Sequence, residues 1–241
     1  MIQKTIEALN EQFNRLSLPQ SIAKLEHVFN NQRVVFSSSL GLEDQVITDV
    51  IFKNHLPIEV FTLDTQRLFK ETTNLITDTE EKYQKTIVRY TPNENAVQEY
   101  IETVGLNGFY ESVDNRKQCC YIRKVEPLNR ALKGADLWIT GIRREQSEFR
   151  HAMQLFEYDQ ERELIKFNPL LNWTTEELWE YIDTHQVPFN PLHLKGYPSI
   201  GCEPCTRAIK PEEDQRAGRW WWENLSNTKQ ECGLHILRTE Q

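Results

Sequence analysis

Two cysteine pairs, Cys119-Cys120 and Cys202-Glu-Pro-Cys205, constrain this chain more than any other feature. A Cys-x-x-Cys brings two thiolates to one side of a tight turn, which suits a bound metal or a redox disulfide. Adjacent cysteines chelate a single tetrahedral zinc poorly, because two sulfurs on one ion sit only about 4 Å apart. A cubane iron–sulfur cluster relaxes that demand, since each thiolate binds a different iron. Pro204 removes a backbone donor and stiffens the turn. Spacing favours a cluster, while structural zinc and buried unliganded thiols stay open. The fifth cysteine stands apart in Glu231-Cys-Gly-Leu-His235, so four ligands plus one free thiol is the simplest division.

Charge narrows the partners. A net charge of −8 and an isoelectric point near 5.4 argue against general nucleic-acid binding, but leave room for a small anion held by local arginines. No run of about 18 apolar residues exists, so no membrane-spanning helix is expected. The start, Met-Ile-Gln-Lys-Thr-Ile-Glu, carries an early acid and no apolar signal core. The expected compartment is a reducing cytoplasm, where cysteines are more often ligands or catalysts than a disulfide frame.

Along the chain, helix-period segments alternate with short apolar runs. Ile2, Ile6, Leu9, Phe13 and Leu16 predict a first helix, and Pro19 opens a second with Ile22, Leu25, Val28 and Phe29 on one face. These helices, residues 1–30, are expected to pack against the domain or a second subunit. Strands are predicted at Arg33–Phe36, Ile58–Leu63, Thr86–Tyr90 and Asp136–Thr140, with helices between them. Repeated strand–helix units make the fold class α/β with a parallel sheet, over residues 31–210. Residues 105–117 read as a polar connection and 149–162 as irregular. The run Ile165–Leu170 reads as an edge strand interrupted by Pro169, and Thr174-Thr-Glu-Glu177 as a helix start with capping-box chemistry. Residues 211–241 form a polar tail, a candidate moving lid.

Strand ends carry the candidate ligands, because open α/β sheets bind there. The loop Ser37-Ser-Ser-Leu-Gly-Leu-Glu-Asp44 lies between a strand and a helix, so it is either an anion site or an ordinary serine helix cap. It lacks the lysine and spacing of a Walker A motif. Asp64 and Arg67 follow the second strand, and Arg143 and Arg144 follow the fourth.

Several motifs in one order resemble the assimilatory adenylyl-sulfate (APS) reductases of the phosphoadenylyl-sulfate (PAPS) reductase family. They are the serine loop at 37–44, Leu63-Asp-Thr-x-Arg67, Cys-Cys-x-x-Arg-Lys-x-x-Pro-Leu at 119–128 and Thr140-Gly-x-Arg-Arg-x-Gln-Ser147. Further motifs are Lys166-Phe-Asn-Pro-Leu170, Ile200-Gly-Cys-Glu-Pro-Cys-Thr-Arg207, Gly218-Arg-Trp-Trp-Trp-Glu223 and Glu231-Cys-Gly-Leu-His235.

The resemblance implies an adenine nucleotide α-hydrolase-like fold with a modified pyrophosphatase loop. It implies a [4Fe-4S] cluster on Cys119, Cys120, Cys202 and Cys205, Cys232 as nucleophile and thioredoxin as electron donor. The implied reaction reduces adenosine 5'-phosphosulfate to sulfite and AMP through a Cys232 S-sulfonate, in sulfate assimilation and cysteine biosynthesis. PAPS is the alternative substrate; a zinc-bound nucleotide-binding regulator or a tRNA-thiolating enzyme is more remote. Attack of a thiolate on an anionic sulfuryl group requires fixed cations. Lys124, Arg143, Arg144, Arg216 and Arg219 are the candidates, with Ser37, Ser38, Ser39, Asp64 and Arg67 as further substrate contacts. His235 is expected to orient the nucleophile or the leaving phosphate, or to pack. Trp220, Trp221 and Trp222 are expected to close the tail on the body, and the protein to form a homo-oligomer. The family carries glycine where this chain has Gln66, a position where glycine serves a positive φ.

Overall fold

Apolar runs become one six-stranded sheet in a computed structural model that describes residues 2–147 and 150–223. Cys232, His235 and most of the expected lid therefore lie outside the described residues. The strands are β1 (Val34–Ser37), β2 (Glu59–Leu63), β3 (Val88–Tyr90), β4 (Leu137–Ile139), β5 (Phe156–Asp159) and β6 (Leu164–Phe167). Their order across the sheet is β3-β2-β1-β4-β6-β5. β1 pairs in parallel with β2 and β4, and β4 with β6, whereas β5 runs antiparallel to β6. The chain visits one side of β1 before crossing to the other, which makes the β1/β4 boundary a topological switch point.

By contacts the chain divides into two compact units. The first comprises Met1–Thr62, Lys70–Val88 and Leu132–Pro191. It holds most of the sheet and the helices α1 (Ile2–Phe13), α2 (Leu18–Val28), α3 (Leu42–Lys53), α4 (Lys70–Tyr83) and α8 (Thr175–His185). Ile6, Leu9 and Phe13 of α1 are buried in the same core as Phe156 and Phe167. The Phe13 ring stands edge-on to both at 4.9 and 5.8 Å, and Phe156 stacks on Phe167 at 4.3 Å. The N-terminal helices thus share the core of the sheet.

α3 is buried from Asp44 to Phe52, so its polar residues need internal partners. The Gln45 amide donates to Thr79 Oγ1 (2.9 Å) and to the Pro188 carbonyl (2.7 Å). Asp49 accepts from the hydroxyls of Tyr83 (2.5 Å) and Tyr181 (2.8 Å) and pairs with Lys53 (2.9 Å). These bonds tie α3 to α4 and α8. The capping box at Thr174 forms as the sequence predicts, with Glu177 N–H donating to Thr174 Oγ1 and Thr174 N–H to the Glu177 carboxylate.

Two sequence expectations fail here. The stretch 149–162 contains β5, and β5 is the antiparallel edge, so β6 is an inner strand rather than an edge. β5 offers only Phe156 and Tyr158 as an apolar alternation, too short a pattern to stand out. Pro169 does not interrupt β6, because the strand already ends at Phe167.

The second unit comprises Leu63–Phe69, Arg89–Ala131 and Leu192–Gln241. Its helices are α5 (Glu94–Val104), capped by the Asn93 side chain, and α6 (Val113–Cys120), capped by Ser112. A π-helical turn (Tyr121–Val125) links α6 to α7 (Glu126–Leu132). The polar connection expected at 105–117 is therefore partly helix, and it delivers both adjacent cysteines on the last turn of α6. A π-turn in mid-helix is uncommon and concentrates at functional sites.

Candidate functional site

In the first unit the serine loop leaves β1 and enters α3 at the switch point. Gly41, not a serine, occupies the N-cap and gives no side-chain cap. Ser37 Oγ accepts from the Trp138 indole N–H (2.8 Å), and Ser38 Oγ from the Leu40 N–H (3.2 Å). Ser39 donates both its N–H (2.5 Å) and its hydroxyl (2.7 Å) to Asp44 Oδ2. The field at the start of α3 is therefore met by the chain's own carboxylate. Burial pushes the Asp44 carboxyl up to about 7; Ser39's two bonds and the Arg150 charge oppose the rise, and Glu43 adds to it. A Cβ at position 141 would run into Asp44 Oδ1, so glycine is required for β4's loop to pass this carboxylate. Ser39 itself is exposed. An anion arriving at Ser39 competes with Asp44 for the same two donors.

Arg143 and Arg144 are committed to internal partners. Arg143, 3% exposed, donates Nε to Glu43 (2.8 Å), Nη1 to Glu145 (2.9 Å) and the Trp173 carbonyl (3.1 Å), and Nη2 to Thr175 Oγ1 (3.2 Å). Arg144 donates to the carbonyls of His151 (3.3 Å) and Met153 (3.0 Å) and to Asn172 Oδ1. Both brace the loop after β4, and Arg143 also holds the start of α8.

In the second unit Cys119, Cys120, Cys202 and Cys205 are free thiols that line one cavity with Arg67, Phe109, Arg116, Arg123, Lys124 and Pro204. Cys119-Cys120 arrive on α6. Cys202 and Cys205 arrive on a tight turn, closed by Cys205 N–H to the Cys202 carbonyl (3.0 Å) and anchored by Glu203 N–H to the Arg67 carbonyl (2.8 Å). Tyr110 donates its hydroxyl to the Pro204 carbonyl (2.6 Å). Among the described residues, no three His, Cys, Asp or Glu side chains stand close enough to hold one metal ion.

The thiols differ in electrostatics. Burial alone would push Cys202 up, but Lys124, the Thr65 hydroxyl, Arg219 and Arg123 together hold it below the usual thiol value. Burial raises Cys119 despite Arg123, and burial with the neighbouring Cys202 raises Cys205 to about 12. Cys202 Sγ donates to Thr65 Oγ1 at 3.3 Å, and Arg123 Nη1 donates to the Thr65 carbonyl at 2.8 Å. Positive side chains thus surround the four sulfurs.

The remaining candidates in this unit have defined places. Asp64 Oδ1 accepts the Gln66 N–H (2.9 Å), a turn-forming bond, and Gln66 keeps a left-handed φ of 59° where the family carries glycine. Arg67 donates to the Leu106 carbonyl (3.1 Å) and Asn107 Oδ1 (2.9 Å) while facing the cavity. Arg219 is buried; it reaches Ser199 Oγ (3.2 Å), and its Nε makes no hydrogen bond among the described residues. Gly201 lets that guanidinium pass, since a Cβ there would collide with it. The Arg216 backbone N–H donates to Asp214 (2.8 Å). Trp220 is buried on the Cys205 carbonyl through its N–H (3.1 Å), packing as expected, while Trp221 is half exposed.

Sequence reasoning did not single out Asp44, Thr65, Arg116, Arg123 or Glu223 as site residues. For two of them a signal existed: Arg116/Cys120 and Cys119/Arg123 are i,i+4 pairs, the first hidden by reading 105–117 as a polar connection.

Comparisons with known proteins place the chain in a family. The family model described as phosphoadenosine phosphosulfate reductase domain matches residues 33–208. The adenosine 5'-phosphosulfate reductase of Agrobacterium fabrum is 50% identical, over 100% of this chain and 94% of its own. That of Allochromatium vinosum is 54% identical, over 84% of this chain and 78% of its own. Among solved structures, the phosphoadenylyl-sulfate reductase of Candida auris, a phosphate complex, superposes with a TM-score of 0.73 at 30% identity, covering 85% of this chain and 97% of that one. An FMN adenylyltransferase of Candida glabrata, at a TM-score of 0.51 and 15% identity over 89% and 79% of the two chains, shares the fold alone. This chain belongs to the phosphoadenosine phosphosulfate reductase domain family.

Proposed function

We propose that this protein is an oxidoreductase acting on a sulfur group, reducing adenosine 5'-phosphosulfate to sulfite and AMP. The observation that carries the reading is the set of four free cysteines, from two distant stretches of chain, around one cation-lined cavity. The donor set fits a [4Fe-4S] cluster in its chemistry: all four donors are thiols that line one cavity, and a cubane takes one thiolate on each iron. Cys119, Cys120, Cys202 and Cys205 would hold it. Bound there, the cluster would supply a compact negatively charged body that holds the two stretches together and orders the cations beside it.

The chain's own residues carry the steps. The loops after β1 and β4 receive the nucleotide, with Ser39 the donor most open to an anion. Cys232 is the nucleophile. Its thiolate attacks the sulfur of the substrate; the bond to the phosphate oxygen breaks, AMP leaves with the electron pair, and Cys232 is left as an S-sulfonate. Lys124, Arg216 and Arg219 offset the charge of the sulfuryl group as the anionic thiolate approaches, and His235 orients the thiol or the leaving phosphate. A thioredoxin thiolate then attacks the Cys232 sulfur, expelling sulfite, and the second thioredoxin thiol resolves the mixed disulfide. The chemistry suits a reducing cytoplasm and the supply of sulfite for cysteine synthesis. No helix among the described residues is long and apolar enough to cross a membrane.

The bonding of two strand-end arginines supports APS over PAPS as the substrate. A 3'-phosphate needs uncommitted donors, and the Arg143 and Arg144 guanidiniums are bound to internal partners. The relatives at about half identity are named for the substrate without that phosphate. The test is sulfite release by anaerobically purified protein from APS and from PAPS, with and without thioredoxin. The expected result is thioredoxin-dependent release with the higher kcat/KM for APS; release from PAPS alone would overturn it.

A further inference from the structure

Arg116 is a charged side chain 2% exposed, and everything around it concerns one junction. Its Nε and Nη2 grip the two oxygens of Glu223 at 2.8 and 2.9 Å, a bidentate pair whose carboxylate is itself 8% exposed. Its guanidinium lies 4.8 Å from the centre of the Trp220 ring, and Arg219 lies 5.0 Å from the same ring. Both Arg116 and Cys120, one helical turn on, line the four-cysteine cavity. Trp220 holds a left-handed φ of 47°, an outlier for a bulky aromatic residue. Such a conformation persists only where the surroundings over-determine it, and it concentrates at functional sites. Two cations against the indole, the Trp220 N–H on the Cys205 carbonyl, and the antiparallel bridge between Thr206 and Arg219 supply that constraint. A buried Arg–Glu pair adds little stability over an apolar pair of the same size, but it is directional. It therefore suits placing a segment better than stabilising one.

We propose that Arg116 is a positioning residue: by clamping Glu223 beside the cysteine cavity, it fixes the point from which the chain runs on to Cys232. This rests on the reading of Cys232 as the nucleophile. Cys232 follows Glu223 by nine residues in the sequence, so the place of Glu223 sets where that stretch of chain begins. Displacing a reacting group by about 1 Å costs on the order of 100-fold in rate.

The test uses cluster-loaded protein carrying Glu223→Gln, which keeps the shape of the side chain, and Arg116→Lys, which keeps the charge. Four quantities are read: iron content, AMP affinity, the rate of S-sulfonate formation on Cys232 from APS without reductant, and the rate of Cys232 alkylation by iodoacetamide without nucleotide. The expected result for Glu223→Gln is S-sulfonate formation slowed on the order of 100-fold, with faster alkylation and unchanged iron content and AMP affinity. Arg116→Lys, retaining one ionic contact, is expected to fall between it and wild type. Unchanged rates in both variants would overturn the proposal, as would rates that fall only in proportion to lost iron or lost AMP affinity. If wild type itself formed no S-sulfonate, the nucleophile assignment would fail, and the alkylation rates alone would decide the clamp.

Discussion

The serine loop and the cysteine cavity treat polar groups in opposite ways. At the loop, the groups that look like ligands already have partners within the chain: Ser39 serves Asp44, Arg143 serves Glu43, and Arg144 serves backbone carbonyls. At the cavity, four thiols face a common space ringed by Arg67, Arg116, Arg123 and Lys124. One region uses charge to build backbone shape; the other uses it to balance sulfur. Motif membership alone does not distinguish these uses, because both regions are dense in family-like residues.

The largest effect is expected at the cavity. Cys202→Ser should remove the iron and the visible absorbance, and lower the melting temperature, since the two cysteine stretches lose their common ligand. Retention of full iron by this variant would break the contrast between the two regions. Next comes Arg143→Ala at the loop, which strands Glu43 partly buried and should cost about 3 kcal/mol in urea unfolding with iron content unchanged. A loss of iron instead would assign Arg143 to the cavity's chemistry.

Asp44 sharpens the contrast through pH. Its carboxyl is raised above the ordinary 3.8 to about 7, so the folded state holds a proton that the unfolded chain releases. Its contribution is fully present below about pH 4 and is lost as pH rises through 7, a fall on the order of 4 kcal/mol. Asp44→Asn should flatten the stability profile between pH 4 and 8, measured by denaturant midpoints. A slope equal to wild type would place the proton elsewhere. The smallest effect concerns Gln66, whose left-handed φ costs about 1 kcal/mol that glycine avoids. Part of that is returned through the freer unfolded chain, so Gln66→Gly should stabilise by about 0.5 kcal/mol. Destabilisation would mean that the Gln66 side chain makes a contact that outweighs the strain.

These differences also explain what was legible in the sequence. Strand runs such as Val34–Phe36 and the face of α1 carried strong periodic signals, because they fill the main core. β5 did not, because its identity comes from the Phe13, Phe156 and Phe167 rings meeting across more than 140 residues of sequence. The four cysteines were legible as a set from spacing and resemblance. The Asp44 carboxylate was not, because its role depends on the backbone of Ser39 folding back onto α3. The Arg116–Glu223 pair was hidden for a similar reason: its partners lie over 100 residues apart. Ion pairs of that separation leave no periodic trace.

The central claim is that Cys232 does the chemistry while Cys119, Cys120, Cys202 and Cys205 do not. The most direct measurement is peptide mass mapping of protein mixed with APS in the absence of thioredoxin. The account predicts one added SO3 group on Cys232, removed on adding reduced thioredoxin and absent in Cys232→Ser. An SO3 group on Cys119, Cys120, Cys202 or Cys205, with Cys232 unmodified, would contradict it.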